Sequence, residues 1–573
     1  MDEKFLRRLH VISLIFVLMA LGGGLRLFYL QIVRNQHYKV LANQEQLRKF
    51  EVASQRGSIY LTDRGGKIPV ALNRELKRVY ADPRFIENIE DTAKRIAEIT
   101  HDDAAKYAEA MRTQSFYVVL KKQLDVPTAK AIDDLGLPGI GLQDEPVRVY
   151  PEGTLAAHVL GFVNADGAGQ YGIEEYFNQE LAGQSGLLKA TTDTRGIPIA
   201  TSENFQIQPE QGSEVVLTID RNLQAKVEQV LADGVSKYRA KSASAVVMDP
   251  NSGAILALAN QPNFNPADFA KVTDYSIFSN RAASSLYEPG SIFKVFSMSA
   301  GLDTGAVTPT TTFANTGSVQ IDDKTIQNAQ GIPNGTFTMS QVISKSINTG
   351  AVYVLQALGG GAINAQAKER LYSYYHDRFL FGQTTSLEVP AEPAGTVQTT
   401  DASRVDYANM TFGQGIDATM VQVVAGYAAI ANAGTVYQPY LVDHVIRPNG
   451  DVIKTQPKAR TTSVISKTTS DQLKAMMETV VQEGGGFGTK IAGYRIGGKT
   501  GTAQIPNPAG GYFENRDIGS FAGFAPLEQP QFVMLVRIDE PKIGGFAGSA
   551  AAGPMFGDIM RWLLNYRGVP PSG

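Results

Sequence analysis

The chain has 573 residues, of which 43% are hydrophobic and 19% are charged, a composition and length typical of an ordinary globular protein with two to four domains. Its 53 Lys and Arg residues nearly balance its 56 Asp and Glu residues, and no basic block stands out, so nothing electrostatic favours a nucleic-acid partner. Cysteine is absent, which excludes disulfides, thiol catalysis and cysteine metal sites but leaves the cellular compartment open.

A long apolar segment lies near the N-terminus. Residues 9–33 carry no formal charge apart from Arg26, and their length covers one bilayer crossing. Because Lys4, Arg7 and Arg8 precede the segment, the positive-inside rule predicts a cytoplasmic N-terminus and an extracytoplasmic remainder. A cleaved signal peptide is the alternative. The segment exceeds a usual signal core, which favours an uncleaved single-pass anchor in the cytoplasmic membrane.

The sequence after this anchor predicts a polar, mixed region. Residues 36–49 and 91–134 have helical character, whereas residues 63–66, Asp-Arg-Gly-Gly, predict a turn between two β-rich pieces. His158 has no second histidine or carboxylate at ligand spacing, so we interpret it as a packing or hydrogen-bonding residue. We interpret Glu174 as a structural ion-pair partner rather than as an acid catalyst.

A second region begins at about residue 212 and predicts an α+β fold. We expect one helix from Arg221 to about Lys237, and another, amphipathic and terminal, from Pro554 to Tyr566. Two pairs of strands are predicted, over residues 243–257 and over residues 519–538. Strands at both ends of the region and helices in its middle indicate an antiparallel sheet flanked by helices.

The most informative stretch is Glu288-Pro-Gly-Ser-Ile-Phe-Lys294. Pro289 and Gly290 precede an apolar run, which predicts a short buried helix beginning at about Ser291. Helical residues three apart share a face, so the Ser291 hydroxyl is expected beside the Lys294 amine. Lysine can take the serine proton only when it is neutral, and burial together with a second cation would lower its pKa. A surface lysine near a helix start is the alternative interpretation.

Two further motifs follow in order. Ser-x-x-Lys occurs only at residues 291–294; Ser346-Ile347-Asn348 and then Lys499-Thr500-Gly501 come after it. Taken alone, residues 346–348 fit an ordinary helix cap, and residues 499–501 fit a glycine-rich turn with a solvated lysine. Residues 494–504 predict an edge strand facing a cleft, with Thr500 and Thr502 on one face.

This ordered trio resembles the active site of the penicillin-recognising serine acyltransferases, the penicillin-binding proteins and serine β-lactamases. The resemblance implies that Ser291 is the nucleophile and Lys294 its base. It implies further that Ser346 relays a proton to the leaving amine. Asn348 would bond the substrate peptide and orient the base.

The resemblance also assigns the third motif. Lys499, Thr500 and Thr502 would hold the terminal carboxylate of the substrate, with Gly501 in the same substrate-binding strand. The backbone N–H groups of Ser291 and Thr502 would form the oxyanion hole. Lys499 would be the second cation that lowers the pKa of Lys294. No cofactor and no metal are implied.

The remainder of the chain resembles class B, monofunctional penicillin-binding proteins. No Glu-x-x-Leu-Asn pattern lies between the second and third motifs, so the deacylating base of class A β-lactamases is missing. Glu388 and Glu392 lie in a segment similar to a penicillin-binding-protein loop, and residues 412–415 resemble a loop lining the cleft. The implied domains are a cytoplasmic tail, a transmembrane anchor, a non-catalytic pedestal domain and a transpeptidase domain, at residues 1–8, 9–33, 34–211 and 212–573.

The activity that the resemblance implies is that of a peptidoglycan D,D-transpeptidase in septal or elongation wall synthesis, with loops closer to the cell-division branch. Ser291 would attack the penultimate D-Ala of a pentapeptide stem, and β-lactams would remain attached to it. A SEDS-type membrane glycosyltransferase and other division or elongation proteins are the implied partners. The alternatives are a D,D-carboxypeptidase or β-lactamase and, from another class, a non-catalytic wall-assembly scaffold or β-lactam sensor.

Overall fold

The computed structural model describes residues 3–35, 47–52, 54–113, 115, 117–191, 205–329, 331–483, 488–507, 509–543 and 548–571. The chain divides into two compact units that interleave along the sequence. The first unit comprises Met1–Gln55, Arg74–Val147 and Gly183–Gln211; the second comprises Arg56–Asn73, Arg148–Ala182 and Gly212–Gly573. The domain boundaries at residues 34–211 and 212–573 therefore stay predictions.

The first unit begins with the apolar helix. An α-helix over Glu3–Phe28 continues as a π-helical turn over Tyr29–Val33. In the part of the chain that the structure describes, Arg7–Val33 is the one helix long and apolar enough to cross a membrane. The predicted anchor at residues 9–33 coincides with this candidate span.

The rest of the first unit packs three helices against strands. The helices are Ile89–Thr100, Ala104–Met111 and Val126–Asp133, and their buried faces share one core with the strand Val118–Leu124. The prediction of helix throughout residues 91–134 was wrong at this strand, which pairs with the end of the long strand Gly66–Ala81. Apolar residues at both ends of the segment let tertiary pairing override a polar, helix-compatible composition.

A small antiparallel sheet completes this unit. Its order is Leu47–Val52, Gly186–Thr191, Phe205–Ile207. The helix predicted over residues 36–49 is wrong at Lys49, which lies in the first of these strands, and its residues 36–46 lie outside the described residues.

The second unit is built on a five-stranded antiparallel sheet. Its order is Ile255–Gln261, Ser242–Met248, Phe532–Asp539, Tyr512–Ala525, Gly497–Pro506, so the strand carrying the Lys-Thr-Gly motif lies at an edge. Both predicted strand pairs are confirmed, and the predicted edge position of the third motif is confirmed with them. An edge strand leaves backbone groups on its outer side unpaired, which makes them free to bind a peptide.

Helices cover both faces of this sheet. Along Ser242–Met248 the side chains alternate, so that Val246 and Met248 join the larger core while Ala245 and Val247 join the smaller one. The smaller core is closed by Arg221–Tyr238 and Gly553–Tyr566, the two helices predicted from sequence. The predicted α+β fold with an antiparallel sheet flanked by helices is confirmed.

The larger core contains the site-bearing elements and most remaining helices. The longer helices of the second unit that surround it are Lys294–Asp303, Asn348–Leu358, Ala365–Tyr372, Met420–Ala431 and Lys467–Gln482. Shorter helices are Ala157–Leu160, Gly172–Tyr176, Asn178–Ala182, Arg281–Ser284, Met339–Ser344 and Arg404–Met410. Small two-stranded sheets join Thr312–Asn315 to Gly335–Thr338, Ser318–Ile321 to Lys324–Gln327, Val436–Tyr437 to Ala459–Thr461, and Phe162–Val163 to Gly169–Gln170.

A separate group of strands in the second unit holds its interleaved segments together. Ile59–Asp63 pairs in parallel with Glu214–Asp220, which continues through Val442–Ile446 to Val452–Lys454. The predicted turn at residues 63–66 is confirmed, because Asp63 pairs with Gly66 across it.

The two polar residues interpreted as structural have structural partners. The fully buried Glu174 carboxylate accepts hydrogen bonds from Arg56 Nε at 2.6 Å and from Arg148 Nε at 2.7 Å. His158 Nε2 lies 2.9 Å from the Ile277 carbonyl oxygen, and burial lowers the pKa of this imidazole to about 4, so it is neutral at pH 7. Both interpretations are confirmed.

Candidate active site

Ser291 lies in a tight turn before a buried helix. Residues Gly290–Phe293 form a single 3₁₀ turn, and the α-helix Lys294–Asp303 follows without a break. Gly290 has φ of +63°, and a Cβ there would lie 2.9 Å from the Thr502 carbonyl oxygen. Only glycine meets both demands at low cost, which explains why this residue type precedes Ser291.

Two polar contacts fix this turn from outside. The Gly290 N–H donates to the Gly413 carbonyl at 3.0 Å, and the buried Tyr427 hydroxyl donates to the Ile292 carbonyl at 2.7 Å. Residues 412–415, predicted to line the cleft, thus lie beside Ser291. These bonds satisfy backbone groups that the short turn itself leaves unpaired.

The Lys294 amine is surrounded by four oxygen atoms. Nζ lies 2.9 Å from Ser291 Oγ, 2.7 Å from the Ser346 carbonyl oxygen, 3.1 Å from Ser346 Oγ and 2.7 Å from Asn348 Oδ1. The carbonyl and the amide oxygen can only accept hydrogen bonds, so together they take two N–H groups. A neutral amine then has its lone pair left for a hydroxyl proton. The geometry suits Lys294 as the base for Ser291.

The surroundings of Lys294 favour its neutral form. The side chain is only 1% exposed, and burial together with the nearby cation of Lys499 holds its pKa well below 10.5. Burial is the larger cause, because an ammonium loses its hydration without gaining a carboxylate partner. Both causes had been expected from the sequence.

The second motif enters the site through a strained turn. The helix Met339–Ser344 ends just before Ser346, and the helix Asn348–Leu358 begins two residues later. Ser346 has φ of +58°, a left-handed conformation that is uncommon for residues other than glycine. It presents both its carbonyl oxygen and its hydroxyl to Lys294. Strain of this kind persists where the surrounding structure holds it in place.

The third motif brings a second buried lysine to the same hydroxyl. Lys499 is fully buried, and its Nζ donates to Ser346 Oγ at 2.9 Å and to the Thr500 carbonyl oxygen at 3.0 Å. Burial lowers the pKa of Lys499 to about 7. Ser346 Oγ thus lies between the two amines, at 3.1 Å from Lys294 and 2.9 Å from Lys499.

The edge strand lies close to the turn Gly290–Phe293, which contains Ser291. A Cβ on Gly501 would lie 2.4 Å from Ser520 Oγ and 3.0 Å from a methyl carbon of Ile292, so a larger residue would push the strand away. Thr500 is half-buried and Thr502 is exposed. Both lie on one face of the strand, and the buried Gly501 lies on the other. The Thr502 carbonyl oxygen lies beside Gly290, the residue before Ser291.

The structure thus brings the three predicted motifs together. The side chains of Ser291, Lys294, Ser346, Asn348 and Lys499 form one hydrogen-bonded cluster, and residues 500–502 border it. Their catalytic and binding roles stay predictions. Other contacts gave no signal in the sequence, since Tyr427 and the hairpin end at Gln327 and Asn328 are distant in the chain and belong to no motif.

The two glutamates of the predicted loop segment, Glu388 and Glu392, have structural partners. Glu388 accepts a hydrogen bond from the Leu441 N–H at 2.8 Å, and Glu392 accepts from the N–H groups of Thr385 and Ser386, both at 2.9 Å. Their carboxylates hold loop backbone together.

Family comparisons match most of the chain. Residues 243–561 match the penicillin binding protein transpeptidase domain, and residues 51–217 match the penicillin-binding protein dimerisation domain. The chain is 33% identical over 572 residues to stage V sporulation protein D of Bacillus subtilis, covering 99% of this chain and 86% of that protein. It is 31% identical over 567 residues to peptidoglycan D,D-transpeptidase FtsI of Escherichia coli, covering 97% and 91%.

Solved structures agree with these matches. Penicillin binding protein 3 of Mycobacterium tuberculosis in complex with ampicillin aligns with a TM-score of 0.70 at 28% identity, covering 91% of this chain and 97% of that chain. A peptidoglycan synthetase of Bifidobacterium adolescentis aligns with a TM-score of 0.73 at 28% identity, covering 92% and 98%. The resemblance drawn from the three motifs is confirmed.

Proposed function

Since this chain belongs to the penicillin-binding proteins that combine a transpeptidase domain with a dimerisation domain, we propose that it cross-links peptidoglycan by a serine acyl-enzyme mechanism. It is a D,D-transpeptidase of cell wall synthesis, acting on peptidoglycan stem peptides and binding β-lactams. The observation that carries the serine mechanism is the Lys294 amine, buried, with its pKa lowered and 2.9 Å from Ser291 Oγ.

Acylation begins with proton transfer from Ser291 to Lys294. Ser291 Oγ attacks the carbonyl carbon of the penultimate D-Ala while the neutral amine takes its proton. The Ser346 carbonyl and Asn348 Oδ1 hold the other two N–H groups, so the lone pair stays directed at the hydroxyl. A positioned base of this kind contributes about 10² to 10⁴ in rate.

The tetrahedral oxyanion is held by backbone donors. The N–H groups of Ser291 and Thr502 donate to it, and each such donor is worth about 2.7–4 kcal/mol. Lys499, with Thr500 and Thr502, holds the terminal carboxylate of the donor stem, which aligns the scissile bond with the nucleophile. Gly501 allows the strand to come this close.

The leaving amine receives its proton through Ser346. The proton taken by Lys294 passes to Ser346 Oγ, which lies 3.1 Å away, while the proton of that hydroxyl passes to the D-Ala nitrogen as the C–N bond breaks. The amine of an acceptor stem then attacks the ester carbonyl and loses a proton along the same path. The new amide forms, and Ser291 Oγ leaves with its proton restored.

Labelling with a fluorescent penicillin tests this assignment. Wild-type protein should form a covalent adduct that peptide mapping by mass spectrometry places on Ser291. The variant Ser291→Ala should form none, because the covalent bond requires the hydroxyl. Ser297→Ala is a matched control in the following helix, where the hydroxyl donates to the Thr411 carbonyl instead of reaching the cleft. An adduct on Ser291→Ala would refute the serine mechanism.

Turnover of a stem pentapeptide separates the related activities. A transpeptidase releases D-Ala and forms the amide product when an acceptor amine is present, whereas a carboxypeptidase forms free acid without one. Rapid recovery of the penicillin adduct would instead indicate a β-lactamase. A sensor or scaffold would be labelled without turning over peptide.

Placement in the membrane and partner proteins extend the proposal. The helix Arg7–Val33 is the candidate single membrane span, and we place residues 1–8 in the cytoplasm and the catalytic unit outside. The substrate glycan would come from a SEDS-type membrane glycosyltransferase. Co-purification of the full chain with such a protein, and its loss when the anchor sequence is exchanged, tests this partner.

A further inference from the structure

A hairpin outside the three motifs reaches Asn348. The strands Ser318–Ile321 and Lys324–Gln327 form this hairpin, and its last carbonyl, that of Gln327, accepts a hydrogen bond from Asn348 Nδ2 at 2.9 Å. The other end of the same carboxamide, Oδ1, accepts a hydrogen bond from Lys294 Nζ at 2.7 Å. Because the amide has one donor end and one acceptor end, the hairpin determines that oxygen faces the lysine.

The helix that carries Asn348 lacks a cap of its own. Ile347 is at the N-cap of Asn348–Leu358, and its side chain has no acceptor for the free N–H groups of the first turn. Asn328, the residue after the hairpin, accepts the Thr349 N–H through its Oδ1 at 2.9 Å. A residue 21 positions away therefore supplies the bond that an N-cap asparagine or serine ordinarily makes.

Asn328 is itself held in a buried amide network. Its Nδ2 donates to Asn315 Oδ1 at 2.7 Å, and the Thr349 hydroxyl donates to that same oxygen at 2.9 Å. Asn315 is 3% exposed, and its Nδ2 donates to the Pro333 carbonyl at 2.8 Å. With donors and acceptors both used, each amide has one orientation, and the network acts as a rigid support.

We propose that Asn328 is a positioning residue for acylation, capping the helix at Thr349 and thereby holding the Asn348 amide oxygen against the Lys294 amine. The inference rests on the proposed function, because positioning this amide matters only if Lys294 activates Ser291. Without the cap, the first turn of the helix frays and the Asn348 amide loses its fixed distance from Lys294. Small displacements of this kind lower reaction rates without removing any reacting group.

The decisive experiment compares acylation rates of full-length variants with a fluorescent penicillin. Asn328→Ala should acylate more slowly than wild type by on the order of ten- to a hundredfold. A misplacement of about 1 Å can lower a reaction rate about a hundredfold. Asn328→Asp keeps an acceptor for the Thr349 N–H but places a carboxylate oxygen, which cannot donate, against Asn315 Oδ1, so it should recover only part of the rate.

The pH profile distinguishes positioning from loss of fold. The polar groups that face the Lys294 amine are Ser291, Ser346, Asn348 and, across the Ser346 hydroxyl, Lys499. An oxygen that accepts from Lys294 favours its charged form, so displacing Asn348 should lower the pKa of the amine. The acidic limb of the acylation rate in Asn328→Ala should therefore move to lower pH while the plateau falls.

Asn364 offers a matched control. It caps the helix Ala365–Tyr372, where its Oδ1 accepts the Ala367 N–H at 3.0 Å, and its Nδ2 donates to the Gly359 carbonyl at 2.8 Å. Asn364→Ala removes the same chemistry outside the catalytic cluster. It should lower the thermal unfolding midpoint to a similar extent and leave the acylation rate and its pH profile unchanged.

The outcomes of these experiments either support or overturn the positioning role of Asn328. The positioning role is supported by slow acylation and a shifted acidic limb in Asn328→Ala, together with a normal rate and pH profile in Asn364→Ala. It is overturned if Asn328→Ala acylates at the wild-type rate, if its acidic limb stays in place, or if Asn364→Ala is slowed as much. Absence of labelling in the wild type would overturn the proposed function itself, a result separate from all of these.

Discussion

At the residue scale, the proposed mechanism requires that the two amines sharing one hydroxyl differ in protonation. Ser346 Oγ lies within 3.1 Å of Lys294 and 2.9 Å of Lys499. A general base must be neutral, and a lysine that binds the substrate carboxylate must be charged. The proposed mechanism therefore needs Lys294 deprotonated while Lys499 keeps its proton. Burial and the Lys499 cation both lower the pKa of Lys294, whereas burial alone lowers that of Lys499, and the additional cause at Lys294 favours this difference.

This difference predicts an alkaline limit to acylation. Because burial lowers the pKa of Lys499 to about 7, the free enzyme loses that cation as pH rises through this value and binds a carboxylate-bearing penicillin less well. The kcat/KM for acylation, which reports the free enzyme, should therefore fall with a midpoint near pH 7. Lys499→Arg should abolish this limb, since a guanidinium stays charged.

The measurement is the second-order rate constant of penicillin labelling at pH values from about 5 to about 10, a range that brackets the expected titration of Lys499. Lys490→Arg is the control, because this exposed lysine lies outside the cluster and its replacement should leave the limb in place. An unchanged midpoint in Lys499→Arg would show that another group titrates.

At the element scale, a partly buried carboxylate in the second unit ties a loop to a helix. Glu228, on Arg221–Tyr238, accepts the Ala156 N–H at 2.7 Å and a hydrogen bond from Gln224 Nε2 at 2.9 Å. Asn263, which also donates to Glu228 at 3.3 Å, donates in addition to the Thr154 carbonyl. One side chain thus connects the segment 154–156 to the helix and to the region after the strand Ile255–Gln261.

Glu228 predicts that stability depends on pH. Burial raises its pKa from 4.5 to about 7, against the smaller opposite effect of its hydrogen bonds. Between these values the folded protein binds a proton that the unfolded chain releases, so the free energy of unfolding falls as pH rises from 4.5 to about 7. The total change from this group is about 3 kcal/mol.

Thermal unfolding of the detergent-solubilised full chain measures this effect. Glu228→Gln should flatten the decline of the midpoint temperature over that pH range, because glutamine does not titrate. Glu483→Gln, at an exposed position, should retain the decline. A wild-type midpoint that rises steadily over the same range, with no change in Glu228→Gln, contradicts the assignment.

A feature of this site could be predicted from the sequence when the pattern that indicates it lies within a few neighbouring residues. The Ser291 and Lys294 pair follows from helical spacing, and the edge strand follows from alternation with glycines around Lys499, so both were predicted from a few neighbouring residues. The left-handed Ser346 and the remote cap at Asn328 are set by tertiary contacts and have no local signal. The strand Val118–Leu124 was missed for the same reason, since its partner residues in Gly66–Ala81 lie 37 to 47 positions away.

At the scale of the whole molecule, the proposed function requires the catalytic unit to lie on the side of the membrane where peptidoglycan lies. The candidate span Arg7–Val33 follows Lys4 and contains Arg7 and Arg8 at its start, and cationic residues favour the cytoplasmic side. The predicted orientation therefore rests on three charges at one end of one helix, far along the chain from Ser291. A cleaved signal peptide would release the same catalytic unit instead.

Replacing Lys4, Arg7 and Arg8 with glutamine should reduce the share of chains whose catalytic unit lies outside, because the charge bias that orients the helix is removed. The measurement is labelling of intact cells with a membrane-impermeant fluorescent penicillin, divided by labelling after lysis. The control replaces three exposed lysines of the catalytic unit, Lys324, Lys454 and Lys467, with glutamine, which changes net charge equally and should leave the ratio unchanged. An intact N-terminus by mass spectrometry is expected with the anchor, whereas a mature chain beginning after residue 20 would establish a signal peptide and overturn the single-pass arrangement.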